Sequence, residues 1–404
     1  MKQITSLALF SVLAVGTASA QSLYYTGTEA QESVPLKWMV GASVTYDDNV
    51  SPGFGPKQSS FGVSPYVGLS FVSITPQTTW DVFGRLGMIY YFDAPSSMNN
   101  VNPEMRAGIN VTHRFSERLR FSSRNFIAYE LEPDYSYGYA SARQNGAYLL
   151  WQTDNSLGYR WTERFATYTG VVLSGTSYAD IPNNDRFTWE VYNQFRYQLS
   201  PQTVLTADYR YSQTTGNGAF SNAADNYILV GMEHRFSPNT IGIVRAGAQF
   251  HSADNGQSST SPYVEFALNS QINTQFSVRS YARYGIETYN NIQSIAPYGL
   301  VEFNDQQVLR LGLSAEYAIS PMFSIFGGVD YLPTSYGGGQ AVNAPHVSVS
   351  NQSSDIINAY IGVSVKFNEH LTGTASYNFT DSSSDLAGST YQRNRISLGL
   401  SAEF

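Results

Sequence analysis

Nine residues at the end of the sequence, I-S-L-G-L-S-A-E-F from Ile396 to Phe404, decide the fold class. Apolar residues alternate with small or polar ones without a break, which is the period of a β-strand with one apolar and one polar face. Phe404 shares the apolar face with Ile396, Leu398 and Leu400. The segment predicts either the closing strand of a membrane β-barrel or the last strand of a soluble β-sandwich, because both kinds of strand alternate.

The composition of the chain favours the barrel. Apolar residues make up 42% and charged residues 13%, with 30 Tyr and 23 Phe among 404 residues. That charged fraction is about half of what soluble domains carry. A barrel wall, apolar outside and polar inside, explains this mixture. The chain has no cysteine, so no disulfide framework is predicted. Its net charge of -8 argues against a nucleic-acid partner.

The beginning of the sequence has the pattern of an export signal. Lys2 precedes an apolar run from Leu7 to Val15, and Ala18 and Ala20 form a small-residue cleavage site. We therefore predict a signal peptide over residues 1–20, a short periplasmic segment over 21–35 and a barrel over 36–404. The apolar run is too short to span a bilayer, and no later run of 18 apolar residues exists, so helical membrane spans are not predicted.

Two kinds of connection divide the chain into strands. Eight short turns, several of them Ser-Pro or Thr-Pro, start at residues 75, 116, 162, 200, 237, 273, 320 and 368. Nine longer polar stretches lie near 48–58, 94–101, 132–144, 178–185, 213–224, 252–260, 289–306, 333–353 and 381–390. Seventeen connections predict an all-β, antiparallel up-and-down barrel of about 18 strands, with 16 as the alternative. The turns would be periplasmic and the loops extracellular, and a first strand near Leu36–Tyr46 would close against the last.

Aromatic residues mark both ends of the predicted apolar face. Around 187–199 that face alternates with a polar face, with Asn193 as the exception. Near the turns lie Phe115, Trp161, Tyr197, Phe236, Tyr317, Phe367 and Phe404. Near the loops lie Tyr46, Tyr90, Tyr129, Tyr211, Tyr284 and Tyr331. Two aromatic girdles around an apolar band are typical of the two membrane interfaces.

These features resemble the outer-membrane β-barrel porins of Gram-negative bacteria over most of residues 36–404. The run Tyr46-Asp47-Asp48-Asn49-Val50 is similar to the opening of the β-barrel porin 2 family. The resemblance implies location in the outer membrane, contact with its lipids and lipopolysaccharide, passive passage of small solutes, and often a homotrimer. It also implies that the barrel-assembly machinery reads Ile396, Leu398, Leu400 and Phe404, so that deleting Phe404 would impair assembly rather than conduction.

The charged residues fall on the face that we assign to the lumen. Nineteen of the 23 basic residues are Arg, whose planar fork pairs well with carboxylates. We predict that these residues line the lumen and set its selectivity: Arg85, Arg106, Arg120, Arg124, Arg196, Arg210, Arg235, Arg245, Arg279, Arg283, Arg310, Glu190, Asp208, Glu233, Glu265 and Glu316. They could form a structural network of paired charges, an electrostatic filter with a mild preference for anions, or both.

Catalytic motifs are not found in the sequence. It has no H-E-x-x-H, G-x-S-x-G or Walker motif, so we predict no enzymatic activity, no cofactor and no metal site. His113 and His234 are each followed by Arg, Phe and Ser, which indicates a repeated interfacial position.

The sequence therefore predicts a channel for small hydrophilic solutes. The alternative is a non-conducting surface barrel that acts as an adhesin or associates with envelope polysaccharide. The two longest loops, 289–306 and 333–353, could fold inward and narrow the pore.

Overall fold

The computed structural model describes residues 33–52, 57–96, 98–131, 147–179, 185–217, 222–254, 258–287, 292–295, 297–303, 305–386 and 389–404. The predicted signal peptide and nearly all of the predicted segment 21–35 lie outside these residues. Strands dominate the described part, in which no helix is both long and apolar enough to cross a membrane.

Eighteen of the strands form one sheet. Their bounds are β1 Val34–Asp47, β2 Ser60–Ile74, β3 Thr78–Tyr91, β4 Val101–Arg114, β5 Leu119–Glu130, β6 Tyr148–Arg160, β7 Phe165–Tyr178, β8 Arg186–Ser200, β9 Thr203–Gly216, β10 Ala223–Ser237, β11 Thr240–Ala253, β12 Ser258–Gln271, β13 Phe276–Ile286, β16 Gln306–Ala318, β17 Phe323–Tyr336, β20 Gln352–Lys366, β21 Leu371–Ser384 and β22 Tyr391–Glu403. Four short strands form a second sheet: β14 Ile292–Ile295, β15 Gly299–Phe303, β18 Gly339–Ala341 and β19 Ala344–Val349.

The large sheet closes on itself. Each strand pairs antiparallel with its neighbour along the barrel, and β1 pairs with both β2 and β22. At the closing seam Val44 lies opposite Leu398, and the backbones of Trp38 and Phe404 exchange hydrogen bonds of 3.0 and 2.9 Å. The prediction of an 18-stranded antiparallel barrel is thus confirmed. The first strand begins at Val34 rather than near Leu36, because Val34 already pairs with Val72.

All eight predicted turns join neighbouring strands, and side chains hold them. In the first turn, Thr75 Oγ1 accepts a hydrogen bond of 2.9 Å from the backbone nitrogen of Thr78. In the turn between β12 and β13, Asn273 Oδ1 accepts bonds of 2.8 Å from the nitrogens of Gln275 and Phe276. Ser, Thr and Asn bond the nearby backbone in this way in many tight turns. All of these turns lie at one end of the barrel, and the longer connections lie at the other.

Side-chain exposure separates the two faces of the wall. On β22, Ile396, Leu398 and Leu400 are more than half exposed and point outward, as does the terminal Phe404. The aromatic residues of the two predicted girdles lie on this outward face at its two ends. His113 and His234 lie there too, each packed edge-on against a Phe two residues later and bonded to a Thr on the neighbouring strand. The predicted interfacial repeat is therefore present. The fold is a transmembrane β-barrel of the outer-membrane type, which gives the chain an outer-membrane location.

The two longest loops meet at the end opposite the tight turns. Strand β15 of one loop pairs with β18 of the other, and Val301 lies opposite Ala341. A buried apolar cluster lies beneath this small sheet and consists of Val301, Phe303, Tyr336, Val349 and Leu386. The cluster ties both loops to the loop ends of β17 and β21.

Candidate functional site: the inward face of the barrel

The inward face carries most of the chain's charge. All sixteen residues predicted to line the lumen lie on it, in register with inward neighbours. Its basic residues are Lys37, Arg85, Arg106, Arg114, Arg120, Arg124, Arg160, Arg186, Arg196, Arg210, Arg235, Arg245, Arg279, Arg283, Arg310, Lys366, Arg393 and Arg395. Its acidic residues, with the one that directly follows β13, are Asp47, Asp81, Glu104, Glu130, Asp154, Glu190, Asp208, Asp225, Glu233, Glu265, Glu287, Glu316, Asp330 and Glu403. Within the described strands, basic side chains outnumber acidic ones on this face.

The densest charge cluster crosses strands β8 to β12. Arg196 is fully buried and donates two hydrogen bonds to the carboxylate of Glu233, one of them 2.9 Å from Nη1 to Oε1. Arg245, also buried, lies 3.5 Å from Glu233 and donates a bond of 3.1 Å to Glu265. Arg210 binds the same Glu265 through two nitrogens, at 3.0 and 3.3 Å. Two glutamates thus join three arginines, and each of these residues comes from a different strand.

Neutral side chains complete this network. Tyr263 donates a hydrogen bond of 2.5 Å from its hydroxyl to Glu265 Oε1. Gln194 accepts a bond from Arg196 and donates one to Asp208, whose carboxylate lies 3.5 Å from Arg245 Nε. Three carboxylates therefore balance three guanidinium groups. Such a buried network is rigid, and removing one partner leaves another charge buried without compensation.

A second cluster lies at the loop end of β13 and β16. Glu287, just beyond β13, accepts two hydrogen bonds from Arg310, 2.7 Å from Nε and 2.6 Å from Nη2. Arg283 donates a third, also 2.6 Å. Burial of Glu287 raises its pKa, but the charges of Arg310 and Arg283 outweigh this effect and hold the pKa below its ordinary value. The site carries one more positive than negative charge.

Three of the remaining predicted residues contact a side chain on the adjacent strand. Arg124 pairs with Asp154, and Arg106 pairs with Glu130. The guanidinium carbon of Arg85 lies 3.8 Å from the ring centre of Tyr66. The same inward face also carries the other predicted residues, Arg120, Arg235, Arg279, Glu190 and Glu316.

A different surface lines β20 to β22 and β1. Many of its inward residues are short and polar, beside the longer Tyr360 and Arg395 and the Arg393–Asp47 ion pair: Asn358, Ser376, Asn378, Thr380, Ser397, Ser43 and Thr45. They bond to one another across strands. Asn358 Oδ1 accepts bonds from Asn378 at 2.9 Å and from Thr380 at 3.0 Å, and the hydroxyl of Thr45 lies 2.8 Å from that of Ser397. We call the inward face of β8–β13 the charged wall and that of β20–β22 and β1 the short wall.

Sequence reasoning missed the neutral members of the charged wall. Gln194, Tyr263 and Gln249 carry no charge and match no motif, yet they link charged groups or neighbouring strands. Gln249 is fully buried, donates to Asp225 at 2.9 Å and binds the backbone of Ile286 through both ends of its amide. Their position would have revealed them, because each stands an even number of residues from a charged inward residue of its own strand. Among the described residues, no group of three or more His, Asp or Glu is placed to hold a metal ion.

Several solved outer-membrane proteins are similar to this chain. No protein-family model and no curated protein matches the sequence. The outer membrane protein opdK from Pseudomonas aeruginosa has a TM-score of 0.46 at 10% identity, over 91% of this chain and 99% of that one. OccAB4 from Acinetobacter baumannii has a TM-score of 0.41 at 10% identity, over 92% and 99%.

A larger protein is also similar. The apoprotein form of the FrpB iron transporter from Neisseria meningitidis has a TM-score of 0.44 at 10% identity, over 89% of this chain and 63% of that one. The chain therefore spans less than two thirds of this transporter. Likenesses at this level concern the barrel alone. The narrower similarity to the β-barrel porin 2 family stays a prediction.

Proposed function

We propose that this chain is an outer-membrane channel through which small hydrophilic solutes diffuse passively, with a mild preference for anions. The observation that carries the proposal is the inward face, which carries most of the charged side chains of the described strands and more basic than acidic ones. Barrels of 16 to 18 strands are wide enough to leave an aqueous channel. Rings and walls of Arg and Lys favour anions in such pores.

The arrangement of the two walls supports diffusion rather than tight binding. On the charged wall, the carboxylates of Glu233 and Glu265 already satisfy the guanidinium groups of Arg196, Arg210 and Arg245. The short wall offers hydroxyl and amide groups on short side chains. A solute passing between them meets a fixed field and many exchangeable hydrogen-bond partners, which suits passage without capture.

Purified mature protein in a planar bilayer tests the proposal. We expect stepwise conductance and, in a gradient of potassium chloride, a reversal potential shifted toward that of chloride. A barrel that passes no current at any voltage would overturn the channel. A conducting barrel with a reversal potential on the potassium side would overturn only the anion preference.

The small loop sheet favours a second candidate function. Strands β14, β15, β18 and β19 form an ordered surface at the loop end, which suits a surface protein that binds a partner or polysaccharide. Liposome swelling separates the two functions. Liposomes that contain the channel swell in small sugars, whereas those that contain a non-conducting adhesin keep their volume.

We also propose that the barrel-assembly machinery reads the last strand. Phe404 bonds the backbone of Trp38, and its ring stacks on that of His370 with 5.8 Å between the ring centres, so it closes the seam at the turn end. Deletion of Phe404 is expected to lower the amount of folded barrel in the outer membrane, seen as a loss of heat-modifiable mobility on unboiled gels. Wild-type levels of folded barrel would overturn this role.

A further inference from the structure

A set of polar side chains lies on the outward face of the barrel, midway between the two aromatic girdles. On β5, Ser123 and Asn125 share their face with Phe121 and Ile127, while the inward Arg124 lies between them. The next strand repeats this pattern. On β6, Thr153 and Asn155 share their face with Trp151 and Leu157, while the inward Asp154 lies between them.

The four side chains form a closed ring of hydrogen bonds. Ser123 Oγ donates to Asn155 Oδ1 at 2.7 Å, and Asn155 Nδ2 donates to Thr153 Oγ1 at 2.8 Å. Thr153 Oγ1 donates to Asn125 Oδ1 at 2.7 Å, and Asn125 Nδ2 returns a bond of 3.0 Å to Ser123 Oγ. Asn125 Nδ2 also makes a long bond of 3.4 Å to the backbone oxygen of Ile109. The ring uses one N–H group of Asn155 and leaves the other for a further acceptor.

The polar surface continues onto the next two strands. Thr169 on β7 is exposed and lies opposite Asn193 on β8. The side-chain oxygen of Asn193 is buried and has no hydrogen-bond partner among the described residues. We call Ser123, Asn125, Thr153, Asn155, Thr169 and Asn193 the polar patch.

The rest of the outward face differs from the polar patch. In the other fourteen described barrel strands, the outward positions at this height are apolar or small, such as Val40, Ile361 and Leu398. Ser280 on β13 is a single hydroxyl among them. Lipid tails offer no hydrogen-bond partners, so incompletely bonded amide groups at this depth are costly. Ser, Thr and Asn at membrane depth commonly bond across to a neighbouring transmembrane segment.

We infer that the polar patch is the surface through which copies of this chain associate in the membrane. Amides and hydroxyls both donate and accept hydrogen bonds, so the patch is complementary to itself, as a symmetric contact between identical chains requires. It carries no charge, so it needs no oppositely charged partner. Its depth in the apolar band restricts the occupant to another membrane-embedded surface. Two copies that meet patch to patch form a dimer with two-fold symmetry.

Cross-linking of single cysteine variants tests this inference, since the chain has no cysteine of its own. Thr169→Cys places a thiol in the polar patch. Ile361→Cys on β20, nine strands away around the barrel, places one at the same height on the apolar face. In intact outer membranes, a short bis-maleimide is expected to link Thr169→Cys copies into covalent dimers, since each copy carries one thiol, and to leave Ile361→Cys monomeric. No homo-oligomer at Thr169→Cys, equal linking of both variants, or links only to other proteins would overturn the inference.

A second set of variants removes the polar groups themselves. The triple variant Asn125→Leu, Asn155→Leu, Asn193→Leu is expected to remain a heat-modifiable folded barrel but to shift from oligomer to monomer in native mass spectrometry. Ser280→Leu is the matched control and is expected to keep the oligomer. A folded triple variant that retains the wild-type oligomer would overturn the inference. Should the triple variant not fold, the cross-linking result decides alone.

Discussion

The charged wall and the short wall line the same barrel but are built on opposite principles. On β8–β13, long side chains from neighbouring strands reach across one another, and Arg196 and Arg245 are almost completely buried. On β20–β22 and β1, side chains such as Thr45, Ser397 and Asn378 bond to their near neighbours. The first wall fixes charge in a buried network, while many inward side chains of the second are short and neutral.

The contrast shows how one strand pattern serves two purposes. Polar residues occupy many inward positions of the strands, and the length of their side chains decides whether they form structure or line a passage. Five strands, β8 to β12, contribute to the network around Arg245. It therefore ties that side of the barrel together beyond its backbone pairing. The short wall has a smaller charged contact, the buried ion pair of Arg393 on β22 with Asp47 on β1.

The largest expected effect comes from breaking the charged wall at its centre. Glu265 accepts hydrogen bonds from Arg210, Arg245 and Tyr263. Glu265→Ala leaves two buried guanidinium groups without that carboxylate, and loss of one partner of a buried ion pair costs about 3–5 kcal/mol. The unfolding free energy in urea, followed by tryptophan fluorescence and by gel mobility, is expected to fall by that amount.

The short wall supplies the control for this substitution. Asn358→Ala removes the bonds accepted from Asn378 and Thr380 and one of 3.4 Å donated to Asp330, but it leaves no buried guanidinium group without a carboxylate. We therefore expect it to cost about 0.5–1.5 kcal/mol per bond. If Glu265→Ala proved no more destabilising than Asn358→Ala, the two walls would not differ in their contribution to stability.

Most of the fold could be predicted from the sequence because its signals are local. Ser-Pro and Thr-Pro turns, the two-residue alternation and the terminal aromatics each depend on a few adjacent residues, and together they predict the 18 strands and the closing of β1 against β22. The pairing of β15 with β18 could not be predicted. It joins two loops that are separated by two full strands, and nothing in either loop specifies the other.

The second prediction concerns the lumen beside the short wall. Ser376 points inward from the centre of β21, so Ser376→Trp would place an indole ring in the lumen. Single-channel conductance is expected to drop markedly. Ala375→Trp, one residue away on the outward face, puts the same ring among lipid tails and is expected to leave conductance unchanged. Equal conductance of the two variants would mean that the passage does not run along this wall.

The third prediction compares an exposed charge in the lumen with one outside it. Arg279 lies exposed on the inward face of β13, at the edge of the charged wall. Arg279→Gln removes one positive charge from the surface that solutes meet, so the reversal potential in a salt gradient is expected to move measurably toward the cation side. Arg118→Gln, in an exposed turn outside the lumen, is the matched control and is expected to show no shift. A shift of equal size in both variants would contradict an electrostatic role for the lumen.

The site could be predicted only in part, for a physical reason. Strand parity places charged residues on the inward face, and all sixteen predicted residues lie there. Parity does not say which Arg binds which carboxylate. Arg210 pairs with Glu265 three strands away, because its side chain passes over the intervening strands. Pairings of this kind depend on side-chain length and on the curvature of the wall.

The smallest expected effect is a pH dependence at the loop end of the charged wall. Burial raises the pKa of Glu287, but Arg310 and Arg283 overcome this effect and hold the pKa below its ordinary value of 4.5. A carboxyl whose pKa is lower in the folded state stabilises that state above its unfolded pKa, and this contribution is lost as the pH falls through the folded value. Glu287→Gln is therefore expected to cost about 1.5–3 kcal/mol at pH 7, as loss of hydrogen bonds to a charged group does. The difference in unfolding free energy between Glu287→Gln and wild type should stay constant from pH 7 to pH 5, then shrink below the ordinary pKa.

Asp385 supplies the comparison. It is a fully exposed loop residue whose pKa is lowered by hydrogen bonds from Ser353, and Asp385→Asn is expected to show a much smaller difference in unfolding free energy at every pH. A difference for Glu287→Gln that did not change down to pH 3 would show that the carboxylate's charge is not what stabilises the cluster.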